Sequence, residues 1–216
     1  MEIVKPSFQI LDVEDEAAGV RMLKRIEYIA RISHRSEDAQ TAHGYDRFLR
    51  SVVMGHGDMS VIEHEKVTVV FEVDRGITHE IVRHRVGSYT QESTRFVNYK
   101  NGARFIQPPM KDKRSLVNWV LSTTDAEASY LRMLELGEAP QIARSVLPNA
   151  LASKIAVTYN LRAWRHFFIM RTSREAHPQM KEVTVPLLAE FQRLIPILFE
   201  DIQPEMKQSE AMRLLR

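Results

Sequence analysis

Two hydrophobic periods alternate along this chain, one helical and one extended. Ala18, Met22, Ile26 and Ile29 fall on one stripe, so Glu14 to Ser33 reads as an amphipathic helix. Ahead of it, Ile3 to Val13 alternates and is rich in β-branched residues, as a strand is. A second helix is expected around Tyr45 to Met54. Glu65 to Val73 has the clearest strand pattern, with Val67, Val69 and Phe71 facing one way and Thr68 and Val70 the other. Arg75 to Arg85 returns to the helical period, with Ile77 and Ile81 on one stripe. Phe96-Val97-Asn98-Tyr99 alternates like a strand, and Arg104 to Met110 is a short strand candidate ending at Pro108-Pro109.

In the second half, Ser115 to Leu136 forms a long helical pattern stopped by Gly137. Pro140 opens another, Gln141 to Leu147, which stops at Pro148. Lys154 to Asn160 is extended, with Ile155, Val157 and Tyr159 on one face. From Arg162 a helix places Arg162, His166 and either Ile169 or Met170 on one face, while Trp164, Phe167, Phe168 and Arg171 spread around it. Those aromatics read as core rather than as a base-stacking platform. Charged groups set among such apolar residues need partners. Gln179 to Ile202 reads as an amphipathic helix with breaks at Pro186 and Pro196, and Glu205 to Arg216 as a short charged helix. The order of elements, with few β-α-β units, predicts an α+β fold: a mixed or antiparallel sheet with flanking long helices, in a single domain over residues 1–216.

Composition narrows the chemistry. A hydrophobic share of 44% and a charged share of 27% are those of an ordinary globular protein, and 216 residues suffice for a core without staples. A net charge of +2 gives no reason to expect a nucleic-acid coat. No apolar run reaches the length of a membrane span, and the first residues lack a signal peptide's apolar segment, so the expected address is cytoplasmic. The chain has no cysteine, which excludes disulfides, thiolate metal sites and a thiol nucleophile.

The densest polar stretch runs from Arg83 to Arg95. It holds three arginines, a histidine and two serines, a donor-rich surface suited to phosphate, carboxylate or a carbonyl-rich ring. A zinc reading of His79, Glu80 and His84 fails on spacing. The histidines are five residues apart, about 140° around a helix, where a metalloprotease helix needs four; no metal is expected. Ser60-x-x-Glu63 has the form of a capping box, which predicts a helix start at Ser60. Gly55-x-Gly57-x-x-Ser60 follows a helix and is not a dinucleotide fingerprint. Ser93 has no base beside it in sequence, so a hydrogen-bonding role fits it better than nucleophilic attack.

Arg83-His84-Arg85, seven residues, Ser93, one residue, Arg95 resembles the signature of the flavin-dependent thymidylate synthases. The resemblance runs from about Ser33 to His177. It implies a non-Rossmann flavin-binding fold and the reductive methylation of dUMP to dTMP. Methylenetetrahydrofolate would supply the carbon, FAD would carry the hydride and NADPH would be the reductant. It implies that dUMP is bound by Glu80, Ile81, Val82, Arg83, Gln91, Glu92, Ser93, Thr94, Arg95, Arg144 and Arg171, with Arg171 the catalytic residue that activates the uracil. FAD would be bound by Ser60, Arg83, His84, Arg85, Gln91, Asn160, Leu161, Arg162 and His166. Three positions depart from the common pattern: Asp58 stands where many members have His, Glu80 where many have Gln, and His166 where some have Asn. The family assembles as a homotetramer with shared sites, acting on small molecules and not on nucleic acid or membrane. The alternatives are a family variant acting on another pyrimidine nucleotide, and a non-catalytic RNA- or nucleotide-binding module.

Overall fold

The computed structural model describes residues 1–206, so the expected helix over 205–216 lies almost wholly outside the described residues. In chain order the elements are β1 (Glu2–Val4), β2 (Ser7–Ile10), α1 (Glu16–Ile32), α2 (Tyr45–Leu49) running into a π-helical segment (Arg50–Gly55), and a 3₁₀ segment (Met59–His64). Then follow β3 (Lys66–Asp74), α3 (Arg75–Ile81), β4 (Ser88–Gln91), β5 (Arg104–Ile106), α4 (Lys113–Glu135) and α5 (Pro140–Ala143). The described chain closes with β6 (Ala152–Asn160), α6 (Leu161–Arg171), α7 (Pro178–Leu194) and α8 (Pro196–Phe199).

The strand expected over Ile3–Val13 is two strands in two sheets. Pro6, which has no N–H to give a ladder, separates them. β1 pairs in parallel with β5, and β2 joins a four-stranded sheet in the order β2-β3-β6-β4. β3 and β6 run antiparallel, because partners descend along β6 as β3 ascends. Leu161 N–H donates to the Glu65 carbonyl (2.9 Å), the Thr68 and Thr158 hydroxyls meet at 2.9 Å, and Arg75 N–H donates to the Leu151 carbonyl (3.1 Å). An α+β arrangement of helices with an antiparallel sheet is therefore what the alternating patterns build.

Cα packing sorts the residues into two compact units. One comprises Met1–Phe8, Val70–Arg85 and Tyr89–Ala156; the other comprises Gln9–Val69, Val86–Ser88 and the chain from Val157 on. Each is assembled from separate stretches, so neither is a continuous segment of sequence. The first has a core of Tyr99, Ala103, Phe105, Tyr130, Ala143 and Leu151, with Trp119 and Leu134 of α4 half-buried against it. The second is built on aromatics. Trp164 lies 4.7 Å from Tyr159, 5.3 Å from Phe167 and 5.2 Å from Phe191 by ring centroids, and its indole N–H donates to the Val67 carbonyl at 2.9 Å. Each of these fully buried rings stabilises the fold by about 1.5–3 kcal/mol relative to exposure.

Local signals had mixed fates. Asp15 caps α1 by accepting from Ala18 N–H at 2.7 Å. α7 runs straight through Pro186, where a break was expected; Val183, Leu187, Leu188 and Phe191 are buried on either side and outweigh the lost backbone bond. The break at Pro196 is real. Phe96–Tyr99 is not a strand: it leaves a turn over residues 94–96, where Phe96 and Val97 N–H both donate to the Ser93 carbonyl (3.1 and 2.9 Å), and continues as irregular chain.

Candidate active site

The Arg83–Arg95 stretch is held from behind by a buried helix cap and the apolar face of α3. Asp74 caps α3 by accepting from Ile77 N–H at 2.7 Å, and Ile77, Thr78 and Ile81 are buried. The chain leaves the helix through a last turn in which Arg83 N–H reaches the Glu80 carbonyl and His84 N–H the Ile81 carbonyl (3.3 and 3.2 Å). The Tyr89 hydroxyl then donates to the His84 carbonyl, pinning the backbone between the two arginines. Arg83 and Arg85 project into solvent, and among the described residues neither guanidinium makes a hydrogen bond or ion pair.

β4 was not foreseen, because Ser-Tyr-Thr-Gln carries no apolar alternation. Its place comes from β6: Glu92 N–H donates to the Lys154 carbonyl at 2.8 Å. The Gln91 amide donates to the Thr78 hydroxyl (2.9 Å) and the Ser153 hydroxyl (3.2 Å). The Ser93 hydroxyl accepts from Arg95 N–H at 3.3 Å. Thr94 is buried and accepts from Arg144 Nη1 at 2.9 Å, while Arg95 Nε donates to Gln141 Oε1 at 3.0 Å. The structure thus brings Arg144 and Thr94 together, as the sequence could not show. Ile81 is fully buried, so only its backbone can reach a ligand; Val82 and Glu80 are more open.

The remaining candidates belong to the other unit. Leu161 is fully buried, and Asn160 Oδ1 accepts from Ala163 N–H at 2.8 Å to cap α6. The Ser60–Glu63 capping box does not form. Ser60 lies within the 3₁₀ segment, whose first turn has no side-chain cap, and Glu63 instead accepts from Arg162 Nη1 at 2.6 Å. On α6 the 100° step per residue divides the side chains cleanly. Arg162, His166, Ile169 and Met170 are exposed, Trp164, Phe167 and Phe168 are buried, and Arg171 is half-buried.

The cation that does sit inside the apolar side of α6 is Arg165, which sequence reasoning passed over. It donates to the Leu198 carbonyl and to both oxygens of Asp201 (2.7 Å each), and only 8% of it is exposed. The guanidinium holds the Asp201 carboxyl below the usual range against the opposing effect of burial. Gly87 was also overlooked: a Cβ there would overlap the Tyr159 ring. A hollow of about 480 Å³ lined by Lys24, Arg25, Tyr28, Gln40, Thr41 and Ala42 contains none of the expected residues. Among the described residues no three His, Asp or Glu side chains gather as metal ligands, and no helix is long and apolar enough to cross a membrane.

Known proteins match this arrangement. Residues 20–197 match the family described as thymidylate synthase complementing protein. A flavin-dependent thymidylate synthase of Mycobacteroides abscessus is 38% identical over 174 residues, covering 72% of this chain and 69% of that one. One from Mycobacterium tuberculosis is 34% identical with the same coverage. The UMP/dUMP methylase PolB of Streptomyces cacaoi, solved with 5-Br dUMP, shares the fold with a TM-score of 0.79 at 23% identity, over 93% of this chain and 96% of that one. With the match running over the arginine motif, β3 and β6, the chain belongs to the flavin-dependent thymidylate synthases and is an enzyme of that family.

Proposed function

We propose that this enzyme makes dTMP from dUMP by reductive methylation, with methylenetetrahydrofolate as carbon donor, FAD as bound flavin and NADPH as reductant. The observation that carries the reading is a pair of guanidiniums, Arg83 and Arg85, unengaged among the described residues, on a backbone fixed by Tyr89, inside the motif that the family match covers. A flavin dinucleotide offers a pyrophosphate and a carbonyl-rich ring, and forked cationic donors complement both. The residues that would hold it are Arg83, His84, Arg85, Ser60, Arg162 and His166, with Gln91, Asn160 and Leu161. Because Asn160 Oδ1 is taken by the helix cap, its amide nitrogen is the part left to donate. Bound FAD would supply the hydride-transfer chemistry that no side chain of this cysteine-free protein can.

Glu80, Ile81, Val82, Arg83, Gln91, Glu92, Ser93, Thr94, Arg95, Arg144 and Arg171 would bind dUMP, with Arg95, Arg144 and the Thr94 loop serving the dianionic phosphate. Arg171 would bond the carbonyl edge of the uracil and favour negative charge on the ring as C5 attacks the methylene carbon. A bond that strengthens as charge develops raises turnover more than affinity. The enzyme would act in the cytoplasm as a homotetramer with sites shared between subunits; light scattering tests the tetrameric mass. The decisive experiment incubates the flavin-loaded protein with methylenetetrahydrofolate, NADPH and dUMP, UMP or dCMP in parallel, with product analysis. dTMP from dUMP, dependent on reductant and unaffected by thiol alkylation, is expected. A protein that takes up no FAD, or that methylates only another nucleotide, would overturn the reading.

A further inference from the structure

The loop that follows β4 carries Glu92 and Arg95 and is met by Arg144 at Thr94, yet among the described residues its carboxylate pairs with neither arginine. Arg95 turns to Gln141 and Arg144 to Thr94, and among the described residues Glu92 is in no ion pair. What Glu92 receives instead is a neutral donor: the Tyr99 hydroxyl, 2.8 Å from Oε1. Tyr99 is itself fixed. It is 9% exposed, its ring packs edge-on to Tyr130 at 5.9 Å, and its N–H donates to the Tyr130 hydroxyl at 3.2 Å. Burial, and then the carboxylate it serves, push the Tyr99 hydroxyl above the ordinary phenol range, so it stays a donor at any physiological pH.

We infer that Tyr99 is a positioning residue that fixes the half-buried Glu92 carboxylate with its second oxygen open to accept a hydrogen bond from the nucleotide. The inference rests on the dUMP reading above. A carboxylate cannot serve a phosphate or a uracil carbonyl, since all are acceptors. It suits the donors of a nucleotide, a sugar hydroxyl or the ring N3–H. Holding Glu92 with a phenol rather than an arginine does two things. It leaves Arg95 and Arg144 without an ion pair to Glu92, and it fixes the acceptor through a neutral donor.

Tyr99→Phe keeps the ring and the packing but removes the donor. With the flavin-loaded enzyme, dUMP affinity should fall about 3- to 10-fold, the loss of one hydrogen bond. The loss should appear in KM rather than kcat, with an unchanged flavin absorption spectrum. Glu92→Ala supplies the discriminating background. If Tyr99 acts through Glu92, adding Tyr99→Phe to it should cost no further affinity. Equal dUMP binding by Tyr99→Phe and the parent, or an undiminished loss in the Glu92→Ala background, overturns the inference while leaving the dUMP reading intact. A parent enzyme that binds no dUMP overturns that reading, and this one with it.

Discussion

Arg165, in the middle of α6, and Arg83, just past the end of α3, are treated by the structure in opposite ways. Arg165 lies inside α6 with its donors engaged by Leu198 and Asp201 and almost no exposure. Arg83 stands at the end of α3 in solvent with no partner among the described residues, while the backbone under it is pinned by Tyr89. A cation among apolar residues invites a functional reading. Arg165 is instead structural, while the exposed Arg83 stands on a rigid support with no side-chain partner among the described residues. Buried charge needs partners from the protein itself; a guanidinium that the described residues leave unmatched keeps all its donors for a ligand.

The comparison can be broken in several ways. The largest expected effect is at Arg171, half-buried in the last turn of α6. Arg171→Ala should lower dTMP formation by about 10²–10³, the scale of losing one preorganised donor. Arg171→Lys should also be poor, since an ammonium lacks the planar fork. NADPH oxidation through the flavin should survive both, and near parental dTMP formation would make Arg171 a surface cation. Next comes Arg165→Ala, read as a denaturation midpoint, which should cost about 1.5–3 kcal/mol of stability by leaving the Leu198 carbonyl without its donor, while water can take over the 44% exposed Asp201 carboxylate. A midpoint shift as small as that of Arg83→Ala would erase the contrast between the two residues.

Arg144→Ala should weaken dUMP binding by about 1.5–3 kcal/mol with little change in melting temperature, because its Thr94 bond lies at an exposed guanidinium. The smallest effect concerns acid. Asp201 is depressed in the fold by Arg165, so its contribution is present above the unfolded carboxyl value near ~3.9 and is lost as pH falls through the folded value. Melting followed between about pH 5 and pH 3 should show this slope in the parent protein and a reduced one in Asp201→Asn.

The elements with strong periodicity were legible. β3, β6, α1, α4 and α6 all lie where apolar residues repeat, since burial of those faces is what forms them. The polar parts were not. β4 is a strand because β6 and the Gln91 bonds to Thr78 and Ser153 hold it, all far away in sequence. Ser60 and Glu63 had the letters of a capping box, but Arg162, ninety-nine residues on, takes the carboxylate instead. The arginine motif could be read at once as a donor surface. Which of its members are engaged, and that Gly87 is needed to clear the Tyr159 ring, required coordinates.

The two tryptophans of this chain give it a built-in optical readout. Trp164 is sealed among Tyr159, Phe167, Phe168 and Phe191, whereas Trp119 is half-buried on α4, and each belongs to a different compact unit. Indole emission shifts to the blue in a dry cage and to the red in water, so the two lamps differ in colour before any label is attached. Trp119→Phe leaves the lamp that watches the aromatic core, and Trp164→Phe leaves the one that watches the core around Tyr130. Followed separately through a denaturant titration, coincident curves mean one cooperative transition. Separated curves would time the loss of each core by its own light.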